Sequence, residues 1–363
     1  MLISKLRGKV VVVVVGIGTI GEPLAILLLS YLKHLGIDNV VFTKNTPKEE
    51  DIPAVEGLIR RNGIFAAPLN KIKDFSNVGP KPAVALEDVW DIATVVVDCT
   101  PKKIGRANKQ NIYLSLKNAK GFIAQGSEQG FGKPYAFRIA DSALTPDDRF
   151  IWVLSCNTHA LSAATWTIAL DQGKKGPENL IRGSFTLLRR SSDISQDKSI
   201  PAVEMGELGN PVYGTHQAED CANLFRSTFG WELNVFSQAY ILNNQYMHST
   251  AFQFNLAEDI SKEEVLRRIR NNPLIALTKK MQSNQVFSFG RDHGHCGRIL
   301  NQLVIGEKTL GVFGNRVVGE SLTPQDGNSL LSSVAAIRWL IDPSTYLPKM
   351  KEFMGPKFVF QTV

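Results

Sequence analysis

The chain has little cysteine: Cys99, Cys156, Cys221 and Cys296 are the four in 363 residues. None is spaced as CxxC, and so sparse a set excludes a disulfide framework, which leaves a reducing, cytoplasmic protein as the expectation. Internal repeats and low-complexity tracts are missing, so repeat arrays and long disordered tails are set aside. Charge of one sign is not concentrated anywhere. The formal balance is +7, but the basic residues come as scattered pairs such as Arg60-Arg61, Lys174-Lys175 and Lys279-Lys280 rather than as a stripe interleaved with aromatics. That pattern argues against nucleic acid and suits small phosphorylated ligands.

Long apolar runs are scarce too. The one that stands out, Lys9 to Lys33, contains a single acid, Glu22, and follows a basic tail with Lys5 and Arg7. Its length would allow a membrane span or an export signal. Its punctuation excludes both. Val10 to Val15 is a β-branched run of strand length, Gly16-Ile17-Gly18-Thr19-Ile20-Gly21 follows at once, and Pro23 to Leu29 resumes with helical character. In a strand, glycine turn and helix of this kind, the first glycine makes the turn, the second admits a pyrophosphate to the backbone, and the third lets helix and strand pack. The phosphates then meet the N–H groups and dipole of a helix N-terminus. The expectation is a dinucleotide-binding domain with no membrane segment.

The rest of the N-terminal half fits an α/β sheet. Asn39 to Lys44 reads as the second strand, and its C-terminal end carries Thr43 and Lys44 where an NAD site usually has an acid. Asp38 precedes the strand and belongs to its far end. A lysine in that place suits a 2′-phosphate, so NADP is favoured, with NAD possible. Ile64 to Leu69, Thr94 to Asp98 and Gly121 to Gly126 read as further parallel strands, and Phe150 to Leu154 closes the domain. Their ends, Thr100-Pro101 and Gln125-Gly126, fall where an open sheet binds its ligand. Beyond them the texture changes to strands separated by long loops, at Leu180 to Leu188, Glu232 to Ala239 and Thr250 to Leu256, as in a mixed or antiparallel sheet. Helices are expected at Ser261 to Ile269, with Ser261 as N-cap, and at Leu330 to Ile341. The division expected is a Rossmann-type domain over 1–155, completed by a C-terminal helical segment within 326–363, and a catalytic α+β domain over 156–325.

Cys156 stands in Ser155-Cys156-Asn157-Thr158-His159, after a strand and opening a helix, a position that favours the nucleophilic thiolate. Two histidines compete for a base, His248 before the alternating strand and His216 in Tyr213-Gly214-Thr215-His216-Gln217, and spacing alone allows either. Arg189-Arg190 follows a predicted strand, so alternation sends one guanidinium into the site and leaves the other to structure or a subunit contact. Asp292-His293-Gly294-His295-Cys296 has no partner half for zinc and reads as a polar loop, with no metal expected.

The run Trp152-Val153-Leu154-Ser155-Cys156-Asn157-Thr158 resembles the nucleophile motif of the archaeal-type, or type II, phosphorylating glyceraldehyde-3-phosphate dehydrogenases. Collinear matches extend the resemblance over nearly the whole chain: Gly16 to Gly21, Thr43-Lys44, Val97-Asp98-Cys99-Thr100-Pro101, Gln125-Gly126, Arg189-Arg190, His216, Met247-His248 and Ala336-Ile337-Arg338. The resemblance implies that the Cys156 thiolate attacks an aldehyde and that His248 takes the hydroxyl proton. Asn157, Thr158, Arg189, Arg190 and His216 would hold substrate or inorganic phosphate, and Gly16, Gly18, Thr19, Ile20, Gly21, Thr43, Lys44, Thr100, Pro101, Gln125 and Gly126 would hold the dinucleotide. It further implies a place in glycolysis or gluconeogenesis and a homotetramer. Two departures bear on the substrate. His159 stands where the family has a second threonine and would replace a hydroxyl lining the phosphate site, and Gly319 to Asp326 lacks the family's His-Gln-Glu-Ser wording. Rival readings are a dehydrogenase or reductase of another phosphorylated aldehyde, acyl phosphate or acyl-CoA, and a catalytically silent nucleotide- or RNA-binding protein on the same scaffold.

Overall fold

The computed structural model describes residues 2–126, 128–192, 200–244, 246–324 and 326–363. The chain forms two compact units. The first comprises Met1–Lys133, Thr145–Val153 and Ser332–Phe353; the second comprises Pro134–Leu144, Leu154–Leu331 and Met354–Val363.

The first sheet has eight strands among the described residues: β1 Val11–Val15, β2 Asn39–Thr43, β3 Ile64–Ala67, β4 Val84–Ala85, β5 Val95–Asp98, β6 Gly121–Gln125, β7 Lys133–Tyr135 and β8 Phe150–Val153. Their order is β4-β3-β2-β1-β5-β6-β8-β7. The neighbours from β4 through β8 run parallel. A strand buried on both faces needs no alternation, and all five valines of β1 are buried. β1 lies between β2 and β5, with Val13 opposite Val41 on one side and Val96 on the other. The winding reverses there, which puts the switch point at the C-terminal ends of β1 and β5. The helix Gly21–Ser30 follows β1, and its first turn begins inside the glycine motif.

The second sheet is mixed: β9 Leu180–Arg189, β10 Glu204–Met205, β11 Val235–Ile241, β12 His248–Leu256, β13 Ile275–Thr278, β14 Leu303–Gly306, β15 Gly311–Phe313 and β16 Arg316–Thr323. The order is β10-β11-β9-β12-β16-β14-β13, with β15 on β16. β9 runs parallel to β11 and antiparallel to β12, and β12 is antiparallel to β16. β12 alternates strictly between buried and half-buried positions, the mark of a sheet with one packed face. His248, Thr250, Phe252, Phe254 and Leu256 are its buried row.

The expected α/β architecture, a Rossmann-type domain with a second α+β domain, is therefore present. Some local expectations shift. The helix expected to start near Leu330 spans Gly327–Ile341, and β9 runs one residue further, to Arg189. The segment Asp292 to Cys296 is a loop only in part, because Asp292 and His293 close the helix Ser283–His293. Among the described residues no helix is long and apolar enough to cross a membrane.

Candidate active site

In the first unit, the glycine turn has the shape its sequence demands. Gly16 sits at φ +87°, and a Cβ on Gly21 would lie 1.8 Å from the Gly16 carbonyl oxygen, so neither tolerates a side chain. A Cβ on Gly18 would meet nothing within 4 Å, which is the open approach a pyrophosphate needs. No side chain caps the helix Gly21–Ser30, whose positive dipole end faces that approach, although the Glu22 N–H donates to the Gly18 carbonyl at 3.1 Å and Pro23 has no N–H. Thr19 and Ile20 lie in the turn. The expected dinucleotide residues thus fit the group they would hold. Across the switch point Asp98 is buried, and its carboxylate accepts from the Thr100 N–H at 3.0 Å, from the Thr100 hydroxyl, from Asn108 at 2.8 Å and from the Tyr113 hydroxyl at 2.6 Å. This network fixes the turn through Thr100 to the exposed Pro101. Gln125 Nε2 donates to Ser333 Oγ at 2.8 Å, and the Gly126 carbonyl accepts from Trp152 Nε1 at 2.6 Å.

The end of β2 differs from the reading of the sequence. Thr43 is buried, and its carbonyl accepts from the Gly16 N–H at 3.0 Å. Asp38 lies at the far end as expected, where it accepts from the Val10 N–H at 2.7 Å. The acid missing from the local sequence is nevertheless there: Asp51, brought back by the turn Glu49–Asp51, forms an ion pair with Lys44.

In the second unit, Cys156 opens the helix Cys156–Ala164. Ser155 is its N-cap, with Oγ accepting from the Thr158 N–H at 3.3 Å and lying 2.9 Å from the Thr158 hydroxyl. Cys156 is partly exposed, and its place in the first turn favours the thiolate. Two other thiols are held protonated. Burial, aided by Asp98, pushes Cys99 strongly up, and burial pushes Cys221 to about 12. Asn157 is buried, with no hydrogen-bond partner for its Oδ1.

The antiparallel register pairs Ser249 with Leu188, which brings His248 beside the end of β9. His248 Nδ1 accepts from the Arg190 N–H at 3.0 Å, so the neutral ring carries its proton on Nε2. Burial, then the charges of Arg190 and Arg189, hold its pKa well below 6.5. The two arginines at the end of β9 differ in burial. Arg190 is buried, with Nη2 3.5 Å from Asp326 Oδ1, whereas Arg189 is half-buried and its Nε has no hydrogen-bond partner.

Two expectations are corrected here. His159 does not replace a hydroxyl at the surface of a phosphate site: it is fully buried, its Nδ1–H donates to the Ser155 carbonyl at 3.0 Å, and burial lowers its pKa to about 4. His216, expected as a base or a phosphate ligand, is not buried beside Cys156 or His248 but is the exposed first residue of the helix His216–Phe229, which packs against the Cys156 helix. Sequence reasoning also missed what joins the site. Thr323 pairs with His248 across β12 and β16, Asp326 meets Arg190, and Asn328 Nδ2 donates to the Cys156 carbonyl at 2.9 Å. The segment from Thr323 to Asn328 therefore contacts His248, Arg190 and Cys156, and Thr323 and Asp326 belong to the Gly319 to Asp326 wording noted above. Gln325 lies outside the described residues. Among the described residues no group of His, Cys, Asp or Glu is placed to hold a metal ion.

No protein-family model matches the chain. Its relatives include the glyceraldehyde-3-phosphate dehydrogenase of Methanocaldococcus jannaschii, 25% identical over 344 residues that cover 91% of this chain and 93% of the relative. That of Metallosphaera sedula is 27% identical over 336 residues, 90% and 91% of the two chains. That of Methanobacterium formicicum is 22% identical over 351 residues, 94% and 97%. With the parallel sheet and its glycine turn, these matches support the class of NAD(P)-dependent oxidoreductases. Within that class they support a distant member of the archaeal-type glyceraldehyde-3-phosphate dehydrogenase family.

Proposed function

We propose that this protein oxidises a phosphorylated aldehyde to an acyl phosphate, with glyceraldehyde 3-phosphate and inorganic phosphate giving 1,3-bisphosphoglycerate and a nicotinamide dinucleotide, NADP or NAD, as the oxidant. The observation that carries this reading is the tie from Thr323, Asp326 and Asn328 to His248, Arg190 and Cys156. The relatives' activity enters through that arrangement.

The Cys156 thiolate adds to the aldehyde carbon and leaves negative charge on oxygen. His248 is suited to meet that oxygen. Its Nδ1 is engaged by Arg190, so proton traffic runs through Nε2, first as a donor to the oxyanion and then as the site to which a hydroxyl proton returns. A depressed pKa keeps the ring neutral at pH 7, which both roles need. A bound nicotinamide supplies the acceptor for the hydride that leaves the carbon as the thioester forms. Phosphate oxygen then attacks the thioester carbon, and Cys156 departs as thiolate, which closes the cycle without further redox change. Arg189 is the guanidinium suited to a phosphate, with Asn157 and the helix end at His216 as further partners; Arg190 holds the frame. Thr158 acts through the cap it shares with Ser155. Gly16, Gly18 and Gly21 hold the dinucleotide, and assembly as a homo-oligomer, measurable by light scattering, belongs to the same reading.

The test is NADP reduction followed by absorbance, with glyceraldehyde 3-phosphate, with and without phosphate, for wild type and Cys156→Ser. Phosphate-dependent turnover that vanishes in the variant is expected. Turnover that is indifferent to phosphate would move the reading to another acyl acceptor.

A further inference from the structure

Two groups by which dinucleotide sites read the adenosine ribose meet at the end of β2, and they are bonded to each other. Lys44 and Asp51 form an ion pair with side chains only 19% and 22% exposed. Asp51 Oδ2 is buried without a hydrogen-bond partner. The other lysine of the loop, Lys48, is also engaged, by Glu50 at 2.9 Å. Thr43, next to Lys44, is hydrogen-bonded to Gly16, which fastens the pair to the glycine turn.

The two groups favour different ligands. A carboxylate only accepts hydrogen bonds and suits a ribose 2′-hydroxyl, whereas an ammonium suits a 2′-phosphate. Joined, they satisfy one another. A ligand with a hydroxyl leaves the pair intact. A ligand with a phosphate must draw Lys44 from Asp51, and it then sets a dianion beside a carboxylate.

We propose that Asp51 is a specificity-determining residue of the cofactor site, restraining Lys44 so that the preference for a phosphorylated ribose is set by the pair and not by the lysine alone. This rests on the dinucleotide reading of the Gly16–Gly21 turn. Asp51 touches no reacting atom in this scheme, so its substitution changes which nucleotide binds and leaves the Cys156 chemistry in place.

Calorimetric binding of two probes to the full-length protein tests it: adenosine 2′,5′-bisphosphate, which carries the 2′-phosphate, and ADP-ribose, which does not. Asp51→Asn should bind the bisphosphate about tenfold more tightly, with ADP-ribose within about twofold of wild type or weaker. Adding Lys44→Ala should erase that gain, and Asp51→Ala should reproduce it if the effect is electrostatic. A bisphosphate to ADP-ribose ratio that stays within about twofold of wild type in both Asp51 variants overturns the proposal. If wild type binds neither probe, the dinucleotide reading itself fails and the proposal falls with it. Melting curves of the variants, matched to wild type, tie any change to binding and not to loss of fold.

Discussion

Arg189 and Arg190 are adjacent in sequence and differ in burial and contacts. Arg190 lies 3.5 Å from Asp326 inside the protein, so Arg190→Ala would remove one member of a buried charge pair and should cost about 3–5 kcal/mol in denaturant unfolding. Arg189→Ala should leave the melting temperature unchanged and raise the KM for the phosphorylated substrate roughly tenfold to a hundredfold. Sequence alone could say that one arginine points inward, by strand alternation, but not which, because Asp326 lies 136 positions away. Cys156 was legible for the opposite reason: its activating feature is the first turn of its own helix. His248 and His216 could not be ranked from spacing, because the Arg190 N–H that engages His248 is a contact of the fold. His159 is a further instance. Its folded pKa of about 4 lies below the ordinary 6.5, so its contribution to stability is complete above pH 6.5 and is lost as the pH falls through 4. The loss is on the order of 3 kcal/mol, and unfolding titrations of His159→Asn between those pH values should show a flatter slope than wild type.

At the scale of elements, strands and turns were the legible part. A run of valines between glycine and lysine has one good solution, a central parallel strand, and the glycine turn after it admits one backbone path. Gly21→Ala should therefore abolish dinucleotide binding in calorimetry and lower the melting temperature, since its Cβ would overlap the Gly16 carbonyl oxygen. Helix starts were less legible. His216 begins a helix whose N-cap, Thr215, has its hydroxyl 2.6 Å from that of Ser237 on β11, a partner no local pattern announces. Asn328 at the start of the helix Gly327–Ile341 is another such case, serving the carbonyls of both Cys156 and Gln302. Asn328→Ala should cost about 1–3 kcal/mol and lower kcat, and the alkylation rate of Cys156 should report the disturbed helix end.

At the scale of the whole molecule, chain order and spatial grouping diverge. From sequence, only a C-terminal segment is expected to return to the first domain, and the second domain is expected to be contiguous. Each compact unit is instead assembled from three separate segments, because parallel-sheet edges and terminal helices are filled by whichever apolar segment completes the burial, however distant. The Lys44–Asp51 pair shows the same effect on a smaller scale, since the turn Glu49–Asp51 supplies an acid that the strand itself lacks.

The interleaving has a consequence for the nascent chain. The first unit draws on Ser332–Phe353 and the second on Met354–Val363. Neither can close while the ribosome still holds those residues, so the valine-rich sheet is translated long before its last covering segment arrives. Synthesis of this protein therefore passes through a prolonged open state, and a chain stopped at residue 331 should emerge as a chaperone client instead of as one finished half.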